Sequence, residues 1–245
     1  MRSFRIFALL VAGFLATAGM AAETSPAGKP KAVIELFTSQ GCSSCVAADA
    51  YFAELAKRGE VVAISFHVDY WDYLGWRDTL GDSAHTERQR GYAEAHGTRR
   101  IYTPQMVVNG VTGLIGSNRE KVEAAIADAS LPVPVTMRQG DGKVTIEVGA
   151  MPVPGRIPTT IRLALLTSEA DVEIARGENA GSTIEYYNVV RAMRPIGMWD
   201  GTPVKITLPE REIMADGVDA CAVLVQEDRA DGPGAILGAA WLANW

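Results

Sequence analysis

Ala32-Val33-Ile34-Glu35-Leu36-Phe37-Thr38-Ser39-Gln40-Gly41-Cys42-Ser43-Ser44-Cys45 sets the pattern for the rest of the chain. Its first six residues form a mostly apolar run suited to a buried strand. Thr38-Ser39-Gln40-Gly41 is a polar loop that delivers the chain to Cys42. From Ser44 to Lys57 the spacing turns helical, with Tyr51, Phe52 and Leu55 among several alanines, and Gly59 is a natural stop. Val61 to Val68 is a second apolar run rich in β-branched residues. The order strand, C-x-x-C, helix, strand needs a crossover, which makes the two strands parallel neighbours.

Toward the amino end, Arg2 and Arg5 precede an apolar stretch from Ile6 to Leu15 and a small-residue exit, Ala18-Gly19-Met20-Ala21-Ala22. Residues 1–22 therefore read as a signal peptide, and 23–31, with Pro26, Gly28 and Pro30, as a linker. The apolar stretch is shorter than the roughly 20 residues that span a bilayer. No second run of spanning length follows, so the mature chain is expected to be periplasmic or secreted, without a membrane span. The formal net charge of −6 and the 48% hydrophobic content describe a globular chain with no basic nucleic-acid footprint.

Toward the carboxyl end, Tyr70, Trp71, Tyr73 and Trp76 crowd together and a polar stretch from Asp82 to Arg100 reads as helical. Residues 69–100 are thus expected to be a helical insertion. Tyr102-Thr103-Pro104 then leads into the strand Gln105-Met106-Val107-Val108. Asn109-Gly110 is a two-residue hairpin turn into Val111–Ile115, and a helix capped by Ser117 or Asn118 follows. Leu131-Pro132-Val133-Pro134 marks an expected boundary. Beyond it lie Val135–Gln139, Lys143–Val148, Thr160–Leu166, Asp171–Ala175, Tyr186–Ala192, Val204–Leu208, Ala220–Gln226 and Ala235–Leu242. About eight short strands in one run suggest a β-sandwich over residues 131–245.

The chemistry centres on the cysteine pair. Disulfide exchange needs a thiolate, and a cysteine just before a helix faces unpaired backbone N–H groups that stabilise the anion. Cys42 is the expected nucleophile and Cys45 the resolving thiol. A permanent structural disulfide is the alternative reading. A structural zinc site needs four ligands, and neither a second C-x-x-C nor an H-x-x-x-H is present. Pro104 opens the strand expected to face the cysteines. A cis Thr103-Pro104 bond there would leave backbone groups free to pair with an extended substrate. Trp71 and Trp76, with Thr103, are candidates for substrate binding, against the alternative that the aromatics pack the insertion. His67 could join both sulfurs in binding Cu(I), since soft thiolates suit that ion, or be a satisfied structural histidine. His85 and His96 read as solvated, as do Arg99 and Arg100. Cys221 reads as a small buried hydrophobe.

Four blocks together, Phe37-Thr38-Ser39-Gln40-Gly41-Cys42-Ser43-Ser44-Cys45, His67-Val68-Asp69-Tyr70-Trp71-Asp72, Tyr102-Thr103-Pro104-Gln105 and Asn188-Val189-Val190-Arg191, resemble a secreted thioredoxin-like family of unknown function (domain of unknown function 1223). The resemblance implies a thioredoxin fold with the Thr103-Pro104 bond cis. It departs at Val46, where a proline usually follows the second cysteine. Thioredoxins carry a buried acid near the place of Glu35, and a carboxyl buried there could serve as general base, against the equal alternative of a partly exposed glutamate with no such role.

The expected architecture is an α/β thioredoxin-like domain over residues 32–130 with a helical insertion, followed by an all-β, sandwich-like C-terminal domain. The expected activity is thiol–disulfide exchange through Cys42, Cys45, Pro104 and Glu35, with no organic cofactor. Its partners would be exported client thiols or disulfides and a redox partner protein. The alternatives are a Cu(I)-binding protein using Cys42, Cys45 and His67, and a non-catalytic envelope interaction module.

Overall fold

A computed structural model describes residues 29–98, 100–152 and 158–243. The expected signal peptide, residues 23–28 of the expected linker, and Arg99 lie outside the described residues. Eleven strands and three α-helices follow one another among those residues. In order they are β1 (Ala32–Thr38), α1 (Val46–Ala56), β2 (Val61–His67), α2 (Ser83–Ala95), β3 (Gln105–Val108), β4 (Thr112–Ile115) and α3 (Arg119–Ala127). Then come β5 (Val135–Gly140), β6 (Lys143–Val148), β7 (Thr159–Glu173), β8 (Thr183–Trp199), β9 (Val204–Pro209), β10 (Ala220–Arg229) and β11 (Gly232–Ala243).

β1 and β2 are buried at every position and pair in parallel from Ala32–Val61 to Thr38–His67. The crossover through α1 accounts for that direction. Strand β3 pairs antiparallel with β1, and β4 with β3. Asn109 (φ 47°) and Gly110 (φ 73°) turn the hairpin between them, in the left-handed region that Asn and Gly tolerate best.

One sheet contains both halves of the chain. Its eight strands run β11-β10-β7-β8-β2-β1-β3-β4, and only β5, β6 and β9 form a second sheet. The expected thioredoxin-like domain with a helical insertion, joined to a separate all-β sandwich, is therefore corrected to a mostly-β fold built on one large mixed sheet with three short helices. The seam between the halves is narrow. Strands β2 and β8 share the single pair Ser65–Val189. The Ser65 hydroxyl donates to the Tyr187 carbonyl (2.9 Å), and the Asn188 side-chain amide donates to the Ala63 carbonyl (2.9 Å). Asn188 holds φ 46°, which turns β8 at that point. Local sequence carries no mark of a pairing made this way.

Three buried clusters follow from this topology. Val62, Ile64 and Phe66 pack with Leu166, Val190, Ala222 and Leu224 on the face covered by α2, so the first core is shared by both halves. Ile34, Leu36, Tyr51, Phe52, Leu55, Met106, Val122 and Ile126 fill the opposite face under α1 and α3. The small sheet lays Val135, Val144 and Ile146 against Ile161, Leu163, Cys221 and Val223. Strand β7 joins two expected strands into one, and its hairpin with β8 is long enough for the tip to reach back to the loop after β1.

Candidate functional site

Cys42 and Cys45 form a disulfide with their Cα atoms 5.4 Å apart. Cys42 caps a short 3₁₀ turn, Ser43–Cys45, that runs directly into α1, and Cys45 is the N-cap of that helix. The Ser39 carbonyl accepts from the Cys42 N–H (3.1 Å) and the Cys42 carbonyl from the Cys45 N–H (3.1 Å), which fixes the turn. The Thr103–Pro104 bond is cis. The Thr103 hydroxyl lies 3.2 Å from Cys42 Sγ and donates to it. The Ser44 hydroxyl is 3.3 Å from the same sulfur. Cys42, Cys45, Thr103 and Pro104 are thus brought together.

Gln40 organises the loop. Its backbone N–H donates to Asp78 Oδ2 (2.8 Å) and its side-chain oxygen accepts from Trp76 Nε1 (2.8 Å). Its carbonyl accepts from Asn179 Nδ2 (2.9 Å). Gly41 lies against Trp71, whose Cβ would be 3.3 Å from any side chain placed there. Trp71 and Trp76 are half-buried beside the loop, and Trp76 also abuts Gly177 of the β7–β8 tip.

That tip is tied to the loop around the cysteines. The Glu178 carboxylate accepts from the Ser43 N–H (3.2 Å), and hydrogen bonds from the Ser43 hydroxyl and N–H hold its pKa below the usual range. Asn179 adds its bond to the Gln40 carbonyl, and beside this loop Cys42 is only 1% exposed and Cys45 wholly buried. Neither Glu178 nor Asn179 was foreseen from sequence, because they lie about 135 residues from the loop they touch.

Glu35 is engaged by α2. It is fully buried, and Arg88 Nε donates to its Oε1 at 2.7 Å while the Tyr92 hydroxyl donates to its Oε2. Burial disfavours the Arg88 charge, but Glu35 outweighs it and holds the guanidinium protonated. Both Glu35 oxygens are taken up in tying β1 to α2.

His67 is also buried, with Nδ1 2.9 Å from Asp78 Oδ2 and its ring edge-on to Tyr186 at 4.5 Å. Burial alone would raise the Asp78 pKa. The His67 ring and the N–H donors of Gln40 and Leu80 instead hold it below the ordinary value. Among the described residues no group of three His, Cys, Asp or Glu is placed to hold a metal ion. His85, expected to be solvated, is 5% exposed and its Nδ1 bonds the His67 carbonyl at 2.8 Å. Cys221 lies buried in β10, where burial pushes its thiol pKa far up.

One acid near the sulfurs escaped the sequence reading. Asp49 stands four residues after Cys45 in α1 and is buried. Its Oδ1 accepts from the Thr38 hydroxyl at 2.7 Å. Burial raises its pKa to about 7, partly offset by Thr38 and His67. The signal that could have found it is its spacing: i and i+4 share a helix face.

The fold and site define a mostly-β protein with a buried C-x-x-C disulfide at the start of a helix. The chain belongs to the family described as protein of unknown function (DUF1223), whose profile matches residues 33–226. It is similar to protein AGR_C_4864 of Agrobacterium tumefaciens, known from a crystal structure, at 36% identity and a TM-score of 0.79, over 88% of this chain and 95% of that one. HBP35 of Porphyromonas gingivalis shares the fold at 14% identity and a TM-score of 0.59, over 88% of this chain and 76% of that one. No curated protein matches the chain.

Proposed function

We propose that this chain is an exported thiol–disulfide exchange protein that works through Cys42 and Cys45 in the periplasm or outside the cell. The observation that carries the reading is the pair itself. Two sulfurs meet at the start of a helix, and a hydroxyl donor, Thr103 Oγ1, lies 3.2 Å from Cys42 Sγ. A donor there stabilises negative charge as it develops on that sulfur. Cys42 is the sulfur that exchanges with a client and Cys45 the one that resolves the mixed disulfide. Thr103 and Pro104 form one wall of the client groove, and Trp71 and Trp76 flank the loop. The partners are exported thiols or disulfides and a second redox protein that resets the pair. No organic cofactor takes part.

With both sulfurs buried, a client reaches Cys42 only after local opening, which we assign to the β7–β8 tip bonded to Ser43 and Gln40. The same burial favours a second reading, in which the disulfide is a permanent clamp under an interaction module. Trapping separates the two. Cys45→Ala in the full-length chain is expected to accumulate mixed disulfides through Cys42 under mildly oxidising conditions, detected on non-reducing gels. Absence of any Cys42 adduct would favour the clamp.

A further inference from the structure

A buried polar pocket around Asp49 in α1 holds three atoms that have no hydrogen-bond partner: Asp49 Oδ2, His67 Nε2 and the Tyr186 hydroxyl. They lie close together. The His67 and Tyr186 rings are in edge contact, and the Asp49 carboxyl interacts electrostatically with both His67 and Tyr186. Thr38 closes the pocket from β1, directly across the strand pairing from His67. Buried polar atoms are normally satisfied, and a cluster of exceptions calls for a role.

Cys45 has helical backbone angles (φ −78°, ψ −30°) and Asp49 follows it by four residues. Their side chains therefore lie one above the other on the buried face of the helix. Glu35 is excluded, since Arg88 and Tyr92 hold both its oxygens. Resting on the redox reading above, we propose that Asp49 is the acid–base group that exchanges a proton with Cys45.

The step balances without a further reagent. A client thiolate attacks Cys42 Sγ, and a new sulfur–sulfur bond joins client and Cys42. The Cys42–Cys45 bond breaks, and its electron pair leaves on Cys45 Sγ, which takes a proton from the Asp49 carboxylic acid. A second client thiolate then attacks the client sulfur of the mixed disulfide and releases Cys42 as a thiolate. The client dithiol is oxidised to a disulfide and the protein pair is reduced. In the opposite direction Asp49 removes the Cys45 proton before resolution.

The surroundings suit both forms of the acid. The Thr38 hydroxyl on β1 donates to the carboxylate, and His67 on β2 stabilises its charge. Burial and the Asp78 carboxylate after the aromatic segment oppose that charge. These opposed influences leave Asp49 near neutrality in proton affinity, so that it can both give and accept a proton.

The test is the rate of disulfide opening by a small thiol in the intact protein, followed by tryptophan fluorescence from pH 5 to 9 at constant thiolate concentration. Wild type is expected to show an inflection near neutrality. Asp49→Asn, nearly isosteric and still able to accept from Thr38, should lose that inflection and open at least tenfold more slowly at low pH. Thr38→Val removes a donor to the charged form and should move the inflection upward. A merely structural role would lower the melting temperature without altering the pH profile. An unchanged profile in D49N, with wild type still exchanging, overturns the Asp49 assignment alone. A wild-type disulfide that opens only when the chain unfolds overturns the redox reading and this proposal with it.

Discussion

At the scale of single residues, Asp49 links the site to stability. Its pKa is about 7 in the fold against 3.8 for an unperturbed carboxyl, chiefly through burial. Between those values the folded state binds more protons than the unfolded chain. Stability is therefore fully present below about pH 4 and declines as pH rises toward 7, by up to about 4 kcal/mol from this one group. Asp49→Asn is expected to flatten that decline in denaturant titrations run at several pH values. An identical slope in wild type and variant would show that Asp49 is ionised at little cost. Sequence alone did not expose this residue, because an aspartate among alanines on a helix reads as solvated. Its burial comes from Thr38 on β1 and from His67, Asp78 and Tyr186, all brought in by tertiary structure. The cysteine pair was legible, since the spacing and the following helix are local. The sequence leaves Glu35 open between a buried acid and a partly exposed one; it is buried, and its partners Arg88 and Tyr92 come from α2, which no local pattern shows.

Among the elements, the β7–β8 hairpin is the one that reaches from the carboxyl-terminal half to the cysteine loop. Asn179 and Glu178 at its tip fasten it to the Gln40 carbonyl and the Ser43 N–H. A hydrogen bond of this kind contributes roughly 1 kcal/mol, so its loss should shift opening by about five- to tenfold. Asn179→Ala is accordingly expected to speed alkylation of reduced Cys42 by that factor in the native protein. An unchanged alkylation rate would mean that the tip does not gate the site. The segments β1, α1 and β2 were readable because apolar spacing and Gly59 mark them. The hairpin was not readable as one piece. Its two strands are long, they bend at Asn188, and their pairing with β2 rests on one residue pair plus two side-chain hydrogen bonds. Residues 160–166 and 171–175 also alternate like two short strands of a sandwich, so the local pattern favoured a separate domain.

For the molecule as a whole, a shared sheet and a shared core imply shared folding. Phe66 on β2 and Leu224 on β10 belong to one buried cluster, and α2 packs so closely on β11 that a side chain at Gly91 would meet Pro233 at 2.7 Å. The described residues should therefore unfold in a single transition, with tryptophan fluorescence and far-ultraviolet circular dichroism coinciding. Two resolved transitions would indicate that the halves are independent after all. The joint fold also brings the carboxyl-terminal half to the candidate site: Tyr186 packs on His67, and Glu178 and Asn179 bond Ser43 and Gln40.

The most direct measurement is a redox titration of the native protein in glutathione buffers, with the Cys42 and Cys45 thiols counted by alkylation and mass. Exchange function predicts an equilibrium within reach of known C-x-x-C proteins, between about −270 and −120 mV. A pair that stays oxidised below roughly −300 mV, as structural disulfides do, would contradict it.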